Sequence, residues 1–426
     1  MVNTFLLCFN FVLYFLTFIV YQCKKKYFSI GSFVLLFYTF LSLLAIPLYN
    51  SPFATEFKDL TFFPFVYLYV ALMMCFSPLL LFKDKKVRSL RMPDPILMNI
   101  LSILLIVSFL IKFLTEISSL SIDDSLFDPM ALAKNYNERE REYGAPGFGI
   151  SNMFRFLSVL FSPVLALFFF YNIMMKNTWL SLGIAISIVS YLILSLCNGD
   201  RYFVFNLFME IPFLFLLFRH KLNQTARRKM VLVLSVVGIL LVSGLALVTI
   251  GRFGNNRQQR EYLIYGLETY AAQNFIFFNN YGLDAGGIRY GENTANLVKR
   301  VLGLKTSTNP ADGRLMYSHL KIDNSRFYTF VGDFTLDYGP FWGFIILMLM
   351  TIFLGSHLRL TNMGEYKFNQ IILLTVLYQI CVQGFSLFPY SFWMANIKLL
   401  FVILLYFLLG SNKRIRLHRM SNIQKI

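Results

Sequence analysis

The sequence has few charged residues for its length, and this deficit excludes a soluble globular protein. Asp, Glu, Lys and Arg make up 14% of the 426 residues, whereas soluble domains contain about a quarter of such residues. Hydrophobic residues make up 57% and aromatic residues 18%. Apolar runs near twenty residues recur along the chain, and each is long enough for a helix to cross a hydrocarbon core of about 30 Å. These features predict an all-α, polytopic integral membrane protein.

Motifs for metal, disulfide and hydrolase chemistry are also lacking. The five cysteines form no CxxC pair, which argues against a disulfide framework and against a zinc site. The His, Asp and Glu spacings do not resemble a metal site, and the chain contains no nucleophile elbow or Ser-His-Asp order. We therefore predict no cofactor and no metal, and expect metal-independent chemistry.

The net charge of +17 does not indicate a nucleic-acid partner. The basic residues lie mostly in short clusters at the ends of apolar runs, for example at Lys24–Lys26 and Arg219–Lys229. Such clusters are typical of the signal that orients a membrane protein, with the basic ends in the cytoplasm. If every run crosses, the N-terminus is outside and the C-terminus is cytoplasmic.

Eleven apolar runs are candidate spans. The runs are Asn3–Tyr21, Phe28–Leu48, Thr61–Phe82, Pro95–Leu114, Asn152–Tyr171, Thr178–Cys197, Tyr202–Phe218, Met230–Ile250, Tyr338–Ser356, Gln370–Phe388 and Ser391–Leu409. They divide the chain into an N-terminal bundle (1–250, eight spans, external loop 115–150), a large external loop (251–337) and a C-terminal bundle of three spans with a basic tail (338–426). This division lacks the two similar halves of many secondary transporters.

The loop Gly251–Asp337 is the expected site of any chemistry, because it is far longer than a connection requires and too aromatic for simple disorder. Within it we predict an amphipathic helix at Tyr262–Phe278, a short helix near Asn296–Leu302 and a turn at Asn309–Arg314. The first helix is interpreted as an aromatic anchor lying flat on the membrane surface, or as a stacking surface for sugar rings. In loop 115–150, a helix near Met130–Tyr143 is either a solvated helix or a lid.

Several arginines lie on the side predicted to be external, against the orientation bias. Guanidinium groups at the bilayer interface suit a phosphate or pyrophosphate ligand, which they bind through two parallel hydrogen bonds. The alternative is that each arginine pairs with a local acid or extends to water. The candidates for pyrophosphate or substrate binding are Arg155, Arg201, Arg252, Arg257, Arg260, Arg289 and Arg326.

His319 is the candidate general base. It is the only histidine predicted to be external, and a neutral imidazole accepts a proton near neutral pH. A lone loop histidine is more often structural, and the competing carboxylates are Asp333, Asp312 and Glu292. The base is therefore one of four residues.

Two charged residues inside apolar runs form a second candidate group. Glu210 and Lys398 lie at similar estimated depths, where charges are costly unless paired. We predict a structural intramembrane ion pair between them, with a proton relay as the alternative. Gln379 and Gln383 share a face of the tenth run.

The passage Phe327–Gly343 (FYTFVGDFTLDYGPFWG) lies where the chain returns from the long loop into the next span. Its aromatic, Gly-acid and aromatic–Gly–x–x–x–Gly elements, with the Asn198–Arg201 link between two spans, resemble the bacterial O-antigen polymerase family. Members are also called oligosaccharide repeat-unit polymerases. The layout of many spans with one large late loop is similar over nearly the whole chain, although the odd span count departs from the family's usual even count.

The resemblance implies a membrane glycosyltransferase, GT-C-like in fold, in the bacterial plasma (inner) membrane. It would polymerise lipopolysaccharide O-antigen or capsule at the outer face, moving a growing chain from its polyprenyl (undecaprenyl) pyrophosphate donor onto a polyprenyl-pyrophosphate-linked acceptor. Membrane lipids and a chain-length regulator protein are further implied partners. His319 or Asp333 would act as base, and Arg314 would join the arginines above in stabilising the leaving pyrophosphate.

Two other activities remain open at this point. An O-antigen ligase shares the architecture and the lipid-linked donor. A flippase for lipid-linked oligosaccharide or polysaccharide belongs to another class and is expected to line a cavity with charges through many spans, whereas several spans here are almost free of charge.

Overall fold

The structure is a computed structural model that describes residues 2–117, 149–197, 201–221, 257–307, 310–322, 326–360 and 364–410, with a few positions between 224 and 235. Across these residues nearly all regular structure is α-helical, as predicted. The helices are α1 (Val2–Lys25), α2 (Ile30–Tyr49), α3 (Phe62–Leu81), α4 (Pro95–Ile117), α5 (Ile150–Phe161), α6 (Leu165–Met174), α7 (Thr178–Cys197), α8 (Arg201–Phe218), α9 (Arg257–Phe277), α10 (Asn296–Val301), α11 (Pro310–Met316), α12 (Thr329–His357), α13 (Phe368–Val382) and α14 (Phe392–Leu408).

Eight helical segments of the described chain are long and apolar enough to cross a membrane. These are α1 to α4, the continuous stretch of α5 and α6, α7, α12, and α13 with its 3-10 extension to Phe385. Shorter apolar helices at Phe203–Phe218 and Phe392–Leu408 coincide with two more predicted spans. Most of the predicted span Met230–Ile250 lies outside the described residues. A multi-pass, all-α membrane protein is thus confirmed, and the count of eleven stays a prediction.

Helix α13 forms the centre of the bundle. Every residue from Phe368 to Val382 is buried, which is the pattern of a helix that is enclosed by others. Tyr378 stacks on Phe213 of α8 with ring centroids 4.1 Å apart. The Tyr38 hydroxyl of α2 donates a hydrogen bond of 2.8 Å to the Cys381 carbonyl. Spans distant in sequence therefore share one core.

Helix α12 begins at Thr329, whereas the corresponding predicted span begins at Tyr338. Its helical conformation is interrupted at Gly339 (φ 81°, ψ 162°), a conformation that glycine adopts with little strain. Pro340 reinforces the break, because proline disfavours helical geometry in the residue before it. The early start places Asp333 and Asp337 on a helix instead of on the loop.

Helix α9 inserts its C-terminal end into the bundle. Phe275 and Phe278 are fully buried, and the Phe275 ring centroid lies 5.7 Å from that of Tyr14 and 6.4 Å from that of Tyr38. Both tyrosines occupy central turns of their spans, α1 and α2. The interpretation of this helix as lying flat on the membrane surface is therefore wrong for its C-terminal half, whose rings fill the core.

The smaller predicted elements have mixed outcomes. The short helix near Asn296–Leu302 is confirmed as α10, whereas the predicted turn at Asn309–Arg314 is wrong, because helix α11 begins at Pro310. Proline suits a first helical position since its missing N–H has no intrahelical role there. The predicted helix near Met130–Tyr143 lies outside the described residues.

A two-residue parallel strand pair joins two connections of the bundle. Strand β1 (Leu90–Arg91) follows α3, strand β2 (Tyr366–Lys367) precedes α13, and Leu90 pairs with Tyr366. Arg91 Nε lies 3.3 Å from Glu365 Oε2 beside this pair. So short a pairing leaves the all-α class unchanged.

Candidate functional site

A buried ion cluster joins the long loop to the start of α12. Arg289 Nη2 lies 3.0 Å from Asp333 Oδ1, and Arg289 Nε lies 2.9 Å from Asp337 Oδ1. The three side chains are at most 3% exposed. Asp333 and Asp337 are four residues apart on a helix and therefore share one face. We call these three residues the Arg289 cluster.

Neighbouring donors occupy the carboxylate oxygens of this cluster. Asp333 accepts hydrogen bonds from Asn293 Nδ2 (2.9 Å) and from the Phe388 amide (2.7 Å). Asp337 Oδ2 accepts three, from the Asn293 amide (3.1 Å), the Thr294 amide (2.8 Å) and the Thr294 hydroxyl (2.8 Å). Such charge-assisted bonds are stronger than neutral ones. The two carboxylates therefore fix loop backbone against α12.

Arg289 stays charged in spite of its burial. Burial alone would lower the pKa of Arg289, but the carboxylates of Asp337 and Asp333 outweigh it and raise that pKa above its usual value. One guanidinium and two carboxylates leave the cluster with one net negative charge if both acids are ionised. A second cation that approached this end of α12 would be attracted to it.

A second buried network surrounds Glu292, three residues after Arg289. Its carboxylate accepts hydrogen bonds from the Ser307 amide (2.7 Å), from Asn296 Nδ2 (2.9 Å) and from Lys299 Nζ (2.5 Å). Burial would raise the pKa of Glu292, but Lys299 and Ser307 outweigh it and hold that pKa below its usual value. The Tyr317 hydroxyl joins the two networks, lying 3.3 Å from Glu292 Oε2 and donating to the Arg289 carbonyl at 3.0 Å.

Strained backbone is concentrated around the Arg289 cluster. Three non-glycine residues there have positive φ angles, namely Tyr290 (54°), Thr329 (66°) and Phe392 (63°). Each is held by backbone hydrogen bonds at or beside it, such as the one from the Phe392 amide to the Asn293 carbonyl (2.8 Å). Such conformations cost of order 1–3 kcal/mol each and are typical of functional sites. This clustering marks the region as the candidate site.

Of the predicted site residues, the structure brings Arg289 and Asp333 into direct contact. His319 is exposed and lies two residues after Tyr317, with ring centroids 6.2 Å apart. Since its imidazole is open to solvent, an acceptor hydroxyl can reach it. Asp333, in contrast, has both oxygens engaged by protein donors. The geometry therefore suits His319 better than Asp333 for the role of base.

Besides Arg289, two more of the predicted phosphate-binding arginines are paired with acids. Arg155 Nε lies 3.3 Å from Glu116 Oε1. Arg326 pairs with Glu56, and its guanidinium lies 5.4 Å from the centre of the Phe277 ring. A phosphate ligand at either position, or at Arg289, would have to share the guanidinium with these carboxylates.

The remaining predicted arginines are placed only by their helices. Arg201 is the first residue of α8, Arg257 and Arg260 lie in the first turn of α9, and Arg314 lies in α11, but their side chains are outside the described set. Arg252 lies outside the described residues altogether. Their assignment to a pyrophosphate stays a prediction.

The intramembrane acid Glu210 contacts an amide. Gln379 Nε2 donates to Glu210 Oε2 at 3.4 Å and to the Pro163 carbonyl at 2.8 Å, while the Tyr390 hydroxyl donates to Gln379 Oε1 at 2.6 Å. Among the described residues Glu210 Oε1 has no hydrogen-bond partner. The ion pair of Glu210 with Lys398 stays a prediction.

Sequence reasoning missed Asp337, Asn293 and Thr294 as members of the site. The available signal was the spacing of Asp333 and Asp337, which places both on one helix face if the helix begins before Tyr338.

Within the described ranges no group of three or more His, Cys, Asp and Glu side chains is arranged to hold a metal ion. Comparison of the chain with protein-family models, curated proteins and solved structures found no match.

Proposed function

We propose that this protein is a membrane glycosyltransferase that polymerises polyprenyl-pyrophosphate-linked oligosaccharide repeat units into a surface polysaccharide. The proposed location is the bacterial inner membrane, with the N-terminus outside, the C-terminus in the cytoplasm and the Arg289 cluster at the outer face. The acceptor hydroxyl attacks the anomeric carbon of the donor chain, the bond from that carbon to the pyrophosphate oxygen breaks, and the hydroxyl proton passes to a base. Polyprenyl pyrophosphate leaves.

The observation that carries the proposal is the convergence of two distant parts of the sequence. The passage Phe327–Gly343, on which the resemblance to repeat-unit polymerases depends, contributes both aspartates of the Arg289 cluster, and the long loop contributes the arginine. Segment 386–396 completes the site through the Phe388 amide. A transferase whose two substrates are both anchored in lipid needs a rigid surface at the end of the bundle, because misplacement of a reacting group costs rate steeply.

The roles within this site follow from exposure and pairing. His319 is the proposed base, because it is exposed and its ring centroid lies 6.2 Å from that of Tyr317, whose hydroxyl contacts both networks. The Arg289 cluster is proposed to position the loop. The proposal assigns the leaving pyrophosphate to Arg201, Arg252, Arg257, Arg260, Arg314 and Arg326, since developing negative charge needs preorganised cations.

Complementation tests the function. The gene, together with its cognate polysaccharide cluster, is placed in a strain that lacks its repeat-unit polymerase, and the length of the glycan ladder is measured. Long ladders support the proposal. Lipid capped with a single repeat would mean that polymerase activity is missing. Two results of deleting the gene would contradict the proposal. If the deletion left long chains that are not attached to the core, the protein would be a ligase. If it trapped repeat units on the cytoplasmic side of the membrane, the protein would be a flippase.

His319→Ala tests the base in the same assay. A positioned general base contributes about 10²–10⁴-fold to rate, so the variant should yield only capped single repeats at wild-type protein levels. His357→Ala at the far end of α12 is the matched control and should give full ladders. Full ladders from His319→Ala would remove the histidine from the mechanism and leave the polymerase proposal to the complementation result.

A further inference from the structure

Helix α10 and the turn after it expose large apolar side chains outside the spanning helices. Val298, Val301, Leu302 and Leu304 are each at least 54% exposed. The first three have the spacing i, i+3, i+4 and therefore share one helix face. We call these four residues the apolar edge. Contiguous exposed apolar patches on a protein mark sites of interaction with another protein or with a membrane.

The opposite face of α10 is held rigidly by the Glu292 network. Asn296 is fully buried and bonds to Glu292, and Lys299 Nζ lies 2.5 Å from the same carboxylate. Arg300 donates to Asn296 Oδ1 at 3.0 Å and to the Ser307 carbonyl. Since the polar face is pinned inward, the apolar edge is directed outward by the fold.

The apolar edge lies beside the start of α14, one of the two shorter apolar helices. The Leu297 amide donates to Asn396 Oδ1 at 3.0 Å, which binds α10 to the first turns of α14. The Arg300 guanidinium lies 5.2 Å from the centre of the Trp393 ring. Tryptophan with a nearby cation is typical of the boundary between membrane and water. Farther along α14, Leu400, Leu404 and Phe407 are exposed, so the helix that α10 contacts carries an exposed apolar face of its own.

The charge of the segment matches one class of occupant. Residues 296–307 contain no acid, and of their three cations Lys299 is paired with Glu292, Arg300 lies over Trp393, and Lys305 is exposed beside Leu304. An apolar face with a basic border is the composition of elements that lie in the headgroup region of a membrane and attract anionic lipids.

We propose that residues 298–305 insert into the leaflet that surrounds the N-terminal end of α14, with the apolar edge among acyl chains and Lys305 against anionic headgroups. The loop is thereby attached to the bilayer next to the Arg289 cluster. This proposal depends on the multi-pass membrane location and not on the proposed transferase activity.

Site-directed spin labelling of the full chain in vesicles tests the insertion. Cys8, Cys23 and Cys197 are replaced by Ser, and the fully buried Cys75 and Cys381 are retained. Nitroxide is attached at Leu302→Cys and Val298→Cys, with Lys321→Cys as the aqueous control, because the Lys321 side chain is 57% exposed beside Asp284. Collision with dissolved oxygen, which concentrates in lipid, is compared with collision with a water-soluble nickel complex.

Insertion predicts severalfold higher oxygen-to-nickel ratios at positions 302 and 298 than at 321. The ratios should rise further when phosphatidylglycerol is added to phosphatidylcholine vesicles, and Lys305→Gln should abolish that rise while leaving the ratio in pure phosphatidylcholine unchanged. Nickel accessibility at 302 and 298 equal to that at 321 would overturn the proposal. Strong spin–spin coupling between labels at 302, with low accessibility to both reagents, would also overturn it, because a second copy would then cover the edge.

Discussion

Two of the regions in which the described chain buries carboxylates differ in how the charge of those carboxylates is compensated. In the Arg289 cluster, Asp333 and Asp337 receive a guanidinium and several backbone or side-chain donors. In the bundle core, Glu210 is also buried but receives one long hydrogen bond of 3.4 Å from Gln379. Ionised carboxylates are tolerated in a low-dielectric interior only when charge and hydrogen bonds compensate them.

The difference indicates distinct roles for the two regions. A cluster whose two acids are paired with a guanidinium and also accept hydrogen bonds can hold two parts of the chain in one arrangement, here the loop and α12. A carboxylate whose charge is weakly compensated contributes little to the free energy of unfolding, so removing its charge should cost the protein little stability. We therefore expect the same kind of substitution to have opposite consequences in the two regions.

The largest effect is expected from Arg289→Met. Removing the guanidinium leaves two buried carboxylates without their cation, and breaking a buried ion pair on one side costs about 3–5 kcal/mol. The free energy of unfolding, measured in mixed micelles by titration with a denaturing detergent, should fall by that amount. The free energy of unfolding should fall less for Arg289→Lys, because one ammonium keeps the charge but does not bridge both acids.

Lys321→Met is the matched control for this experiment. It removes a cation from the same loop, but its partner Asp284 is on the surface, 3.4 Å away, with side chains 57% and 80% exposed. Exposed ion pairs of this kind contribute little, so unfolding should be unchanged. If Arg289→Met unfolded at the same detergent fraction as Lys321→Met, the Arg289 cluster would not be the anchor of the loop.

A smaller loss is expected from Glu292→Gln. The substitution keeps the shape of the side chain but removes the charge that Lys299, Ser307 and Asn296 contact. Hydrogen bonds to charged groups contribute about 1.5–3 kcal/mol, and the free energy of unfolding should fall by about that amount in the same titration. Because the network also pins α10, the oxygen-to-nickel ratio at position 302 should fall with it. A variant as stable as wild type would show that neutral hydrogen bonds suffice.

The pH dependence of the difference between wild type and Glu292→Gln checks the charge directly. The folded pKa of Glu292 lies below its usual 4.5, so its contribution is complete above pH 4.5 and is lost as the pH falls through the folded value. The folded pKa of Lys299 lies above its usual 10.5, so the contribution of that partner is complete below pH 10.5 and is lost at higher pH. The stability difference should therefore be constant between these limits and vanish at low pH. A difference that persists far below pH 4.5 would contradict the ionic explanation.

The smallest effect is expected from Glu210→Gln. The amide keeps the contact to Gln379 and removes a charge that is weakly compensated, so unfolding should be unchanged or more difficult by no more than about 1 kcal/mol, the size of one ordinary hydrogen bond. Lys398→Met is measured beside it. A loss from both variants approaching that of Arg289→Met would instead establish the predicted Glu210–Lys398 pair and make the two regions alike.

The spanning helices were predictable, and the site was predictable in part. Eight segments recognised by their hydropathy are helices of spanning length, because a chain in lipid must satisfy its backbone groups within each helix, and composition alone reports this. Arg289 and Asp333 were identified as candidates, but 44 residues separate them, and no periodicity connects positions so far apart. The start of α12 was missed because Asp333 and Asp337 make residues 329–337 look like a loop.

The amino-acid sequence alone determined the class of this protein and the course of most of its spans, since apolar length and local backbone hydrogen bonding are properties of each segment by itself. Only the tertiary structure decided that the end of α9 enters the core and that Arg289 bridges two aspartates. Both outcomes depend on which buried charges and rings find compensating partners in distant segments, and such partners exist only once the helices have packed.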